Sequence, residues 1–427
     1  MKIYRLNEIE EKDVFLRCDT GVDVSQPVRE MIERVRKEGD QALYALTEQF
    51  DGAKLETLAV SKHEIEDALQ KVEKEFLEIL REAAQNIRRY HEKQKRESFV
   101  MTEREGVVLG QKILPLERVG IYVPGGTAAY PSSVLMNAVP AQIAGVKEII
   151  MVTPPGRDGT VNPAILAAAH VAGVTQIFKL GGAQAVAALA YGTQSVPRVD
   201  KIVGPGNAYV AEAKKQVFGQ VNIDMVAGPS EVLVLADEKS NPAYIAADLL
   251  SQAEHDKLAS AVLVTDSEML AQQVSAEVER QLQTLEREEI ARASIEANGK
   301  IILVKDMHEA IEVSNRIAPE HLELCLEDPF AWLSMVQNAG SVFLGRYNPE
   351  PMGDYFSGPN HTLPTMGTAR FYSPLSVDDF IKKMQFSYYT RDALKQDYKK
   401  VSQFARKEGL TAHARAVEIR FEQEECQ

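Results

Sequence analysis

From about Val107 to Gly345 one pattern repeats: a short apolar run of strand length, then a helical stretch. VGIYVP, EIIMVTP, TQIFKL and DKIVG bring the chain to residue 204, and EVLVLAD, SAVLVTD, KIILVKD, LELCLE and SVFLG bring it to residue 345. Such alternation predicts parallel sheets joined by crossover helices. Two successive series of similar length predict two Rossmann-like units, with ligands outside the carboxyl ends of the strands in the cleft between units.

The flanks read differently. Residues 25 to about 100 are helical in pattern: Ser25 to Glu38 is amphipathic and stops at Gly39, and Ser61 with Glu64 has the spacing of a capping box. The basic end of KVEKEFLEILREAAQNIRRYHEKQK is either a phosphate patch or a solvated helix face. After Gly345 comes a loop rich in Gly, Pro and Asn, RYNPEPMGDYFSGPNHTLPT, then more helix. A long irregular segment inside a compact fold is more often functional than idle.

The chain's 427 residues exceed one ordinary core. A formal charge of −14, with no clustered Lys/Arg, argues against a nucleic-acid partner. Cys18, Cys325 and Cys426 lie far apart, so neither a disulfide framework nor an all-thiolate zinc site is expected. MKIYRLNEIEEKDVF is charged where a signal peptide needs apolar residues, and no apolar run is long enough to span a bilayer. The expectation is a soluble, cytoplasmic protein without membrane association.

Four stretches carry candidate chemistry. In Ser251-Gln252-Ala253-Glu254-His255, Gln252 and His255 are three apart on one helix face, suited to one metal ion or, for His255, to a helix C-terminal cap. Pro319-Glu320-His321 marks a helix-to-strand junction where an acid/base pair can point into a cleft. Asp354 and His361 share the glycine-rich loop, and Glu408 precedes His413 near the C-terminus. Gln252, His255, Asp354 and His413 would make a four-ligand set of N and O donors for zinc. Three strand-to-helix turns, at Val123-Pro124-Gly125-Gly126, Gly181-Gly182-Ala183-Gln184 and Gly204-Pro205-Gly206-Asn207, offer helix N-termini to an anionic ligand such as a nucleotide. Each is equally what a tight structural turn looks like. Cys325 in LELCLE is either a thiol nucleophile or a buried strand residue.

Together GIYVPGG, KLGGAQAVAALAYGT, GPGNAYVAEAK, AGPSEVLV, LLSQAEHD, APEHLEL, GDYFSGPNHTLPT and GLTAH resemble the histidinol dehydrogenase family, from about residue 20 to 420. The resemblance implies two incomplete Rossmann-like parallel-sheet domains of aldehyde-dehydrogenase-like α/β fold, a helical N-terminal region and a swapped C-terminal tail. It implies an arm over 1–24 and a helical segment over 25–117 packed on the second Rossmann-like unit. The two units themselves would span 118–230, binding NAD, and 231–372, carrying the metal and catalytic residues, with the tail over 373–427.

By the same resemblance Gln252, His255, Asp354 and His413 would hold Zn²⁺, with His413 supplied by the other subunit of a homodimer. Glu320 and His321 would be the acid/base pair, and Ser230, His361 and Glu408 would join them in holding the substrate. Tyr122, Gln184 and Asn207 would line the NAD site. The expected reaction takes L-histidinol through the aldehyde to L-histidine at the expense of NAD⁺.

Overall fold

The structure is a computed structural model that describes residues 1–9, 14, 23–125 and 129–422. The chain divides into two compact units, one of residues 1–95 and 116–380, the other of residues 96–115 and the segment from 381 onward.

Strand β1 (Lys2–Arg5) opens the chain, and β2 (Phe99–Met101) and β3 (Val107–Pro115) follow the helical stretch. The first series of apolar runs forms β4 (Arg118–Tyr122), β5 (Glu148–Thr153), β6 (Gln176–Lys179) and β7 (Lys201–Val203), followed by the short β8 (Asn222–Ile223). The second forms β9 (Glu231–Ala236), β10 (Ser260–Thr265), β11 (Lys300–Leu303), β12 (His321–Cys325) and β13 (Ser341–Leu344), and β14 (Ile381–Tyr389) comes last. Every apolar run picked out in the sequence is therefore a strand.

Two of the sheets are wholly parallel, in the orders β6-β5-β4-β7-β8 and β1-β11-β10-β9-β12-β13. Counted along its own series, each reads third, second, first, fourth, fifth. That is the Rossmann order without its sixth strand. β1 adds an edge to the second sheet, pairing Lys2–Arg5 with Lys300–Leu303.

A parallel sheet must be covered on both faces. On β5, Ile149 and Met151 point into one apolar cluster, while Ile150 and Val152 point into another. Helix Lys74–His91 closes the first face with Leu80, Ala83 and Ile87, and helices Ser25–Glu38 and Asp40–Asp51 close the second with Val28, Ile32, Leu43 and Leu46. The N-terminal helices thus pack on the first sheet, correcting the expectation that 25–117 lies on the second. Amphipathicity predicts that a face is buried, not what buries it. The capping box forms as expected: Ser61 N–H donates to Glu64 Oε2 at 2.8 Å, and Glu64 N–H donates to Ser61 Oγ at 3.2 Å.

The segment 25–117 is not helical throughout, since β2 and β3 lie inside it and pair in an antiparallel sheet ordered β14-β3-β2. That sheet belongs to the second unit, with helices Arg391–Lys407 and Thr411–Glu418. The expected helical tail over 373–427 accordingly begins its second-unit portion with a nine-residue strand. Among the described residues no helix is long and apolar enough to cross a membrane.

Candidate active site

Helix Met307–Ile317 ends on Ala318, which takes the left-handed conformation (φ 52°, ψ 63°) that costs a non-glycine residue roughly 1–2 kcal/mol. Pro319 prevents any continuation of the helix. The turn delivers Glu320 and His321 to the amino end of β12, beside β9, which Ser230 immediately precedes. Both side chains are tied to one residue of β9. Glu231 N–H donates to Glu320 Oε2 at 2.8 Å, and its carbonyl accepts from His321 Nδ1 at 3.0 Å. This fixes the imidazole tautomer, leaving Nε2 as the ring's free basic nitrogen. Glu320 Oε2 and His321 Nδ1 are 3.6 Å apart, too far for a hydrogen bond, so the two are held side by side and act separately.

Burial sets their protonation. It pushes the Glu320 carboxyl well above the ordinary carboxylate range, with Glu231 and Asp354 adding to the rise. It depresses His321, and the charges of His361 and His255 contribute. A neutral imidazole at neutral pH is ready to accept a proton.

His321 Nε2 faces Glu350 Oε1 at 3.6 Å and Asp354 Oδ1 at 4.0 Å, and Asp354 Oδ1 lies 3.5 Å from His361 Nδ1. Glu350 and Asp354 come from the short helix Glu350–Tyr355. The loop after it is pinned to the first sheet's helices. Asn86 Nδ2 donates to Phe356 O at 2.9 Å, and the buried Asn360 donates to Met136 O at 2.6 Å. Gly358 (φ 109°) passes so close that a Cβ there would sit 2.7 Å from Asn86 O. A cavity of about 240 Å³ opens beside His321, Asp354 and His361. Burial alone would raise Asp354, but the hydrogen bond and charge of His361 outweigh it and hold the carboxyl well below its usual range.

Helix Pro242–Ala253 brings Gln252, 1% exposed, and its cap region brings His255 within electrostatic reach of His321. Gln252 Oε1, His321 Nε2 and Glu350 Oε1 are all buried without a hydrogen-bond partner. Orphaned N and O donors beside a carboxylate fit a cation such as zinc. His321, Glu350 and Asp354 place ligand-type atoms within 4.8 Å of one another. Glu350 was not singled out in the sequence. A lone acid in a chain with 62 of them has no spacing signal, and only its burial, 2% exposed, reveals it.

Glu408 and His413 lie in the second unit, both exposed, Glu408 capping helix Arg391–Lys407 and His413 on helix Thr411–Glu418. Neither belongs to a ligand cluster among the described residues. The basic end of Lys74–His91 is a helix face, with Arg88 on Gln142 and His91 fully buried.

The three other expected residues meet at the carboxyl ends of the first sheet. Tyr122, Gln184 and Asn207 line one pocket of about 1140 Å³, to which Gly125, Gly182 and Tyr209 also contribute. Tyr122 Oη accepts from Gly182 N–H at 3.0 Å, and burial pushes its pKa up to about 12. Asn207 spends its Oδ1 on capping Tyr209 and Val210, 3.1 Å each, which leaves its Nδ2 as the donor. The buried pair Lys214 and Asp224, missed in the sequence, grips the turn from both sides. Lys214 donates to Gly204 O at 3.0 Å, and Gly204 N–H donates to Asp224 at 2.8 Å.

The sequence pattern of histidinol dehydrogenase matches residues 17–421. A histidinol dehydrogenase of Bacillus cereus is 59% identical over 401 residues, covering 94% of this chain and 93% of that one. The chain belongs to the histidinol dehydrogenase family. The crystal structure of the family member from Elizabethkingia anophelis superposes with a TM-score of 0.94 at 41% identity, covering 100% of this chain and 99% of that one. A lactaldehyde dehydrogenase structure, 11% identical over 86% of this chain and 91% of its own, shares the fold at a TM-score of 0.50. Against the family's fold, one expectation needs correcting. The pocket of the first sheet lies at carboxyl ends, as the Rossmann rule requires, but Ser230, Glu320 and His321 stand at the amino ends of β9 and β12.

Proposed function

We propose that the protein oxidises L-histidinol through L-histidinaldehyde to L-histidine, the last steps of histidine formation, with NAD as hydride acceptor and one zinc ion per site, in the cytoplasm. The observation that carries this reading is the clamp of Glu320 and His321 on the main chain of Glu231, within 4.0 Å of a buried carboxylate set, in a chain of this family.

Gln252, His255, Asp354 and His413 would hold the zinc, which when bound fixes the substrate's nitrogen atoms in the reacting orientation. Tyr122, Gln184 and Asn207 would hold NAD⁺ in their pocket, where it would supply the hydride acceptor for each oxidation. Glycine-rich turns and helix N-termini suit its pyrophosphate. His321 Nε2 removes the hydroxyl proton of the alcohol. The Glu320 carboxylate, made more basic by burial, then takes a proton from water as the water oxygen attacks the aldehyde, and His321 returns its proton to the aldehyde oxygen to give the hydrate. His321 removes a proton from the resulting hydrate as the second hydride leaves, giving the acid. Ser230, His361 and Glu408 would hold the substrate's polar groups.

NADH absorbance on mixing protein, histidinol and NAD⁺ tests the reaction, and chelation followed by added Zn²⁺ tests the metal. Turnover that survives complete chelation would exclude the zinc reading, and stoichiometric zinc in His255→Ala would exclude this ligand set. The homodimer with a shared site is supported by the exposure of His413 and Glu408 on a separate compact unit. Mixed under subunit exchange, inactive His413→Ala and inactive His321→Ala should regain activity, because some mixed dimers carry both lesions in one site. A mixture that stays dead would mean each tail serves its own subunit.

A further inference from the structure

A second cluster of ionisable groups lies two residues along β12 from His321. Glu323, 1% exposed, points from the same face of β12 as His321, two residues on and about 7 Å away. Its carboxyl and that of Asp248 place oxygens within 4.8 Å of each other, so a shared proton can join them. Asp248 sits on helix Pro242–Ala253, one turn before Gln252. Glu323 Oε1 also accepts the backbone N–H of Glu350 at 2.8 Å, the first residue of the helix that carries Asp354. Its other oxygen faces Cys325 Sγ at 3.8 Å. Glu323 is buried and Asp248 half-buried, and two carboxyl groups at that range share a proton rather than both ionise.

This arrangement is costly where leucine would pack, since Leu322 and Leu324 on the other face of β12 are fully buried. Its contacts explain the cost. Glu323 stands on the strand that begins at His321 and meets at once the helix of Gln252, through Asp248, and the helix of Glu350 and Asp354. We propose that Asp248 and Glu323 are a hydrogen-bonded positioning pair that locks these three elements in the register the metal and acid/base groups require. The proposal rests on the functional reading above, because it assigns the pair a role toward that metal site.

The test compares Glu323→Gln with Glu323→Leu in the full-length protein. Gln keeps an acceptor for the Glu350 amide and gains a donor for Asp248, whereas Leu fills the space and makes neither bond. Zinc affinity, measured on apoprotein against a competing chelator, should stay within about threefold of wild type for Gln. For Leu it should fall roughly 10–100-fold, the usual effect of losing a group that orients ligands. kcat should follow zinc affinity, while KM for NAD⁺ stays constant in both. Asp248→Ala and Asp248→Asn repeat the comparison from the helix side should Glu323→Leu fail to fold, with Asn restoring what Ala loses. A wild-type protein that binds no zinc would overturn the metal reading itself. Zinc bound normally by wild type, Glu323→Leu and Asp248→Ala alike would leave that reading standing and overturn the positioning role. So would two zinc ions in wild type and one in Glu323→Gln, because the cluster would then itself be a metal site.

Discussion

The two parallel sheets share one strand order, yet their candidate sites lie at opposite ends. In the first, the pocket opens at the carboxyl ends of β4, β6 and β7, and its walls are main-chain turns, helix N-termini and uncharged side chains, with Asp51 and Arg157 the charged residues lining it. In the second, the proposed acid/base groups gather at the amino ends of β9 and β12, and they are buried acids and imidazoles. A dinucleotide is large and offers many contacts, so main-chain donors at a switch point serve it well. Proton transfer needs few groups with displaced pKa values, and burial supplies that shift wherever a strand end is covered. Strand order alone therefore does not say which end of a sheet works.

The largest effect should separate the ends. His321→Ala is expected to slow both oxidations by ~10²–10⁴-fold while leaving NADH affinity unchanged, as fluorescence titration would show. Glu320→Gln should slow aldehyde oxidation far more than alcohol oxidation, since only the aldehyde step activates water. A parallel loss of NADH affinity in His321→Ala would erase the division between the two ends.

Gly204→Ala attacks the other end. Gly204 has φ 110°, and a Cβ would sit 2.2 Å from Tyr122 O. The strain of such a backbone is roughly 1–3 kcal/mol, before any shift of β4 against β7. NADH binding and thermal stability should both fall, with zinc content intact. Intact NADH binding would mean that this turn is structural only.

The same contrast explains what could be read without coordinates. The nine strands of the two apolar series were legible because burial on both faces leaves continuous apolar runs, as in EIIMVT and EVLVLA. β14 was not, because its residues are almost all exposed and show no buried side to read. At the first sheet, glycine turns after strands marked a place for an anionic ligand, and the family resemblance picked out Tyr122, Gln184 and Asn207 in and beside them. At the second, Glu320, His321 and Asp354 came with recognisable neighbours, whereas Glu323, Glu350 and Asp248 are acids whose meaning lies only in burial and in partners distant along the chain. A period of 2 or 3.6 carries no information about those partners.

A smaller effect concerns Asp51, whose burial pushes its carboxyl up to about 6 and whose Oδ2 is buried without a partner. The folded state therefore holds its proton more tightly than the unfolded chain, whose value is about 3.9. Between about pH 4 and 6 the native state binds more protons, so this group's contribution to stability is full below that window and lost as pH rises through it. Asp51→Asn removes that loss. Its melting temperature should exceed wild type above pH 6 and match it near pH 4. An equal gain at both pH values would show that charge burial is not the cause.

The smallest effect should be at Cys325, and it tests how the second sheet divides its labour along one strand. Cys325 ends β12, four residues from His321, and strand geometry puts it about 13 Å from the acid/base pair. It is 4% exposed. Burial, then the charges of Glu323 and Asp248, holds its thiol far above the usual range, so a thiolate is scarce at neutral pH. A covalent route through a thiol needs an ionised sulfur at the substrate, and the structure denies both conditions. Hydration of the aldehyde beside Glu320 needs neither. Cys325→Ala should therefore keep kcat for both oxidations within about twofold and cost roughly 1 kcal/mol of stability, as a small buried truncation does. If a folded, zinc-loaded Cys325→Ala protein still oxidises the alcohol but not the aldehyde, the carboxyl end of β12 takes part in the chemistry, and the two sheets do not differ in the way described.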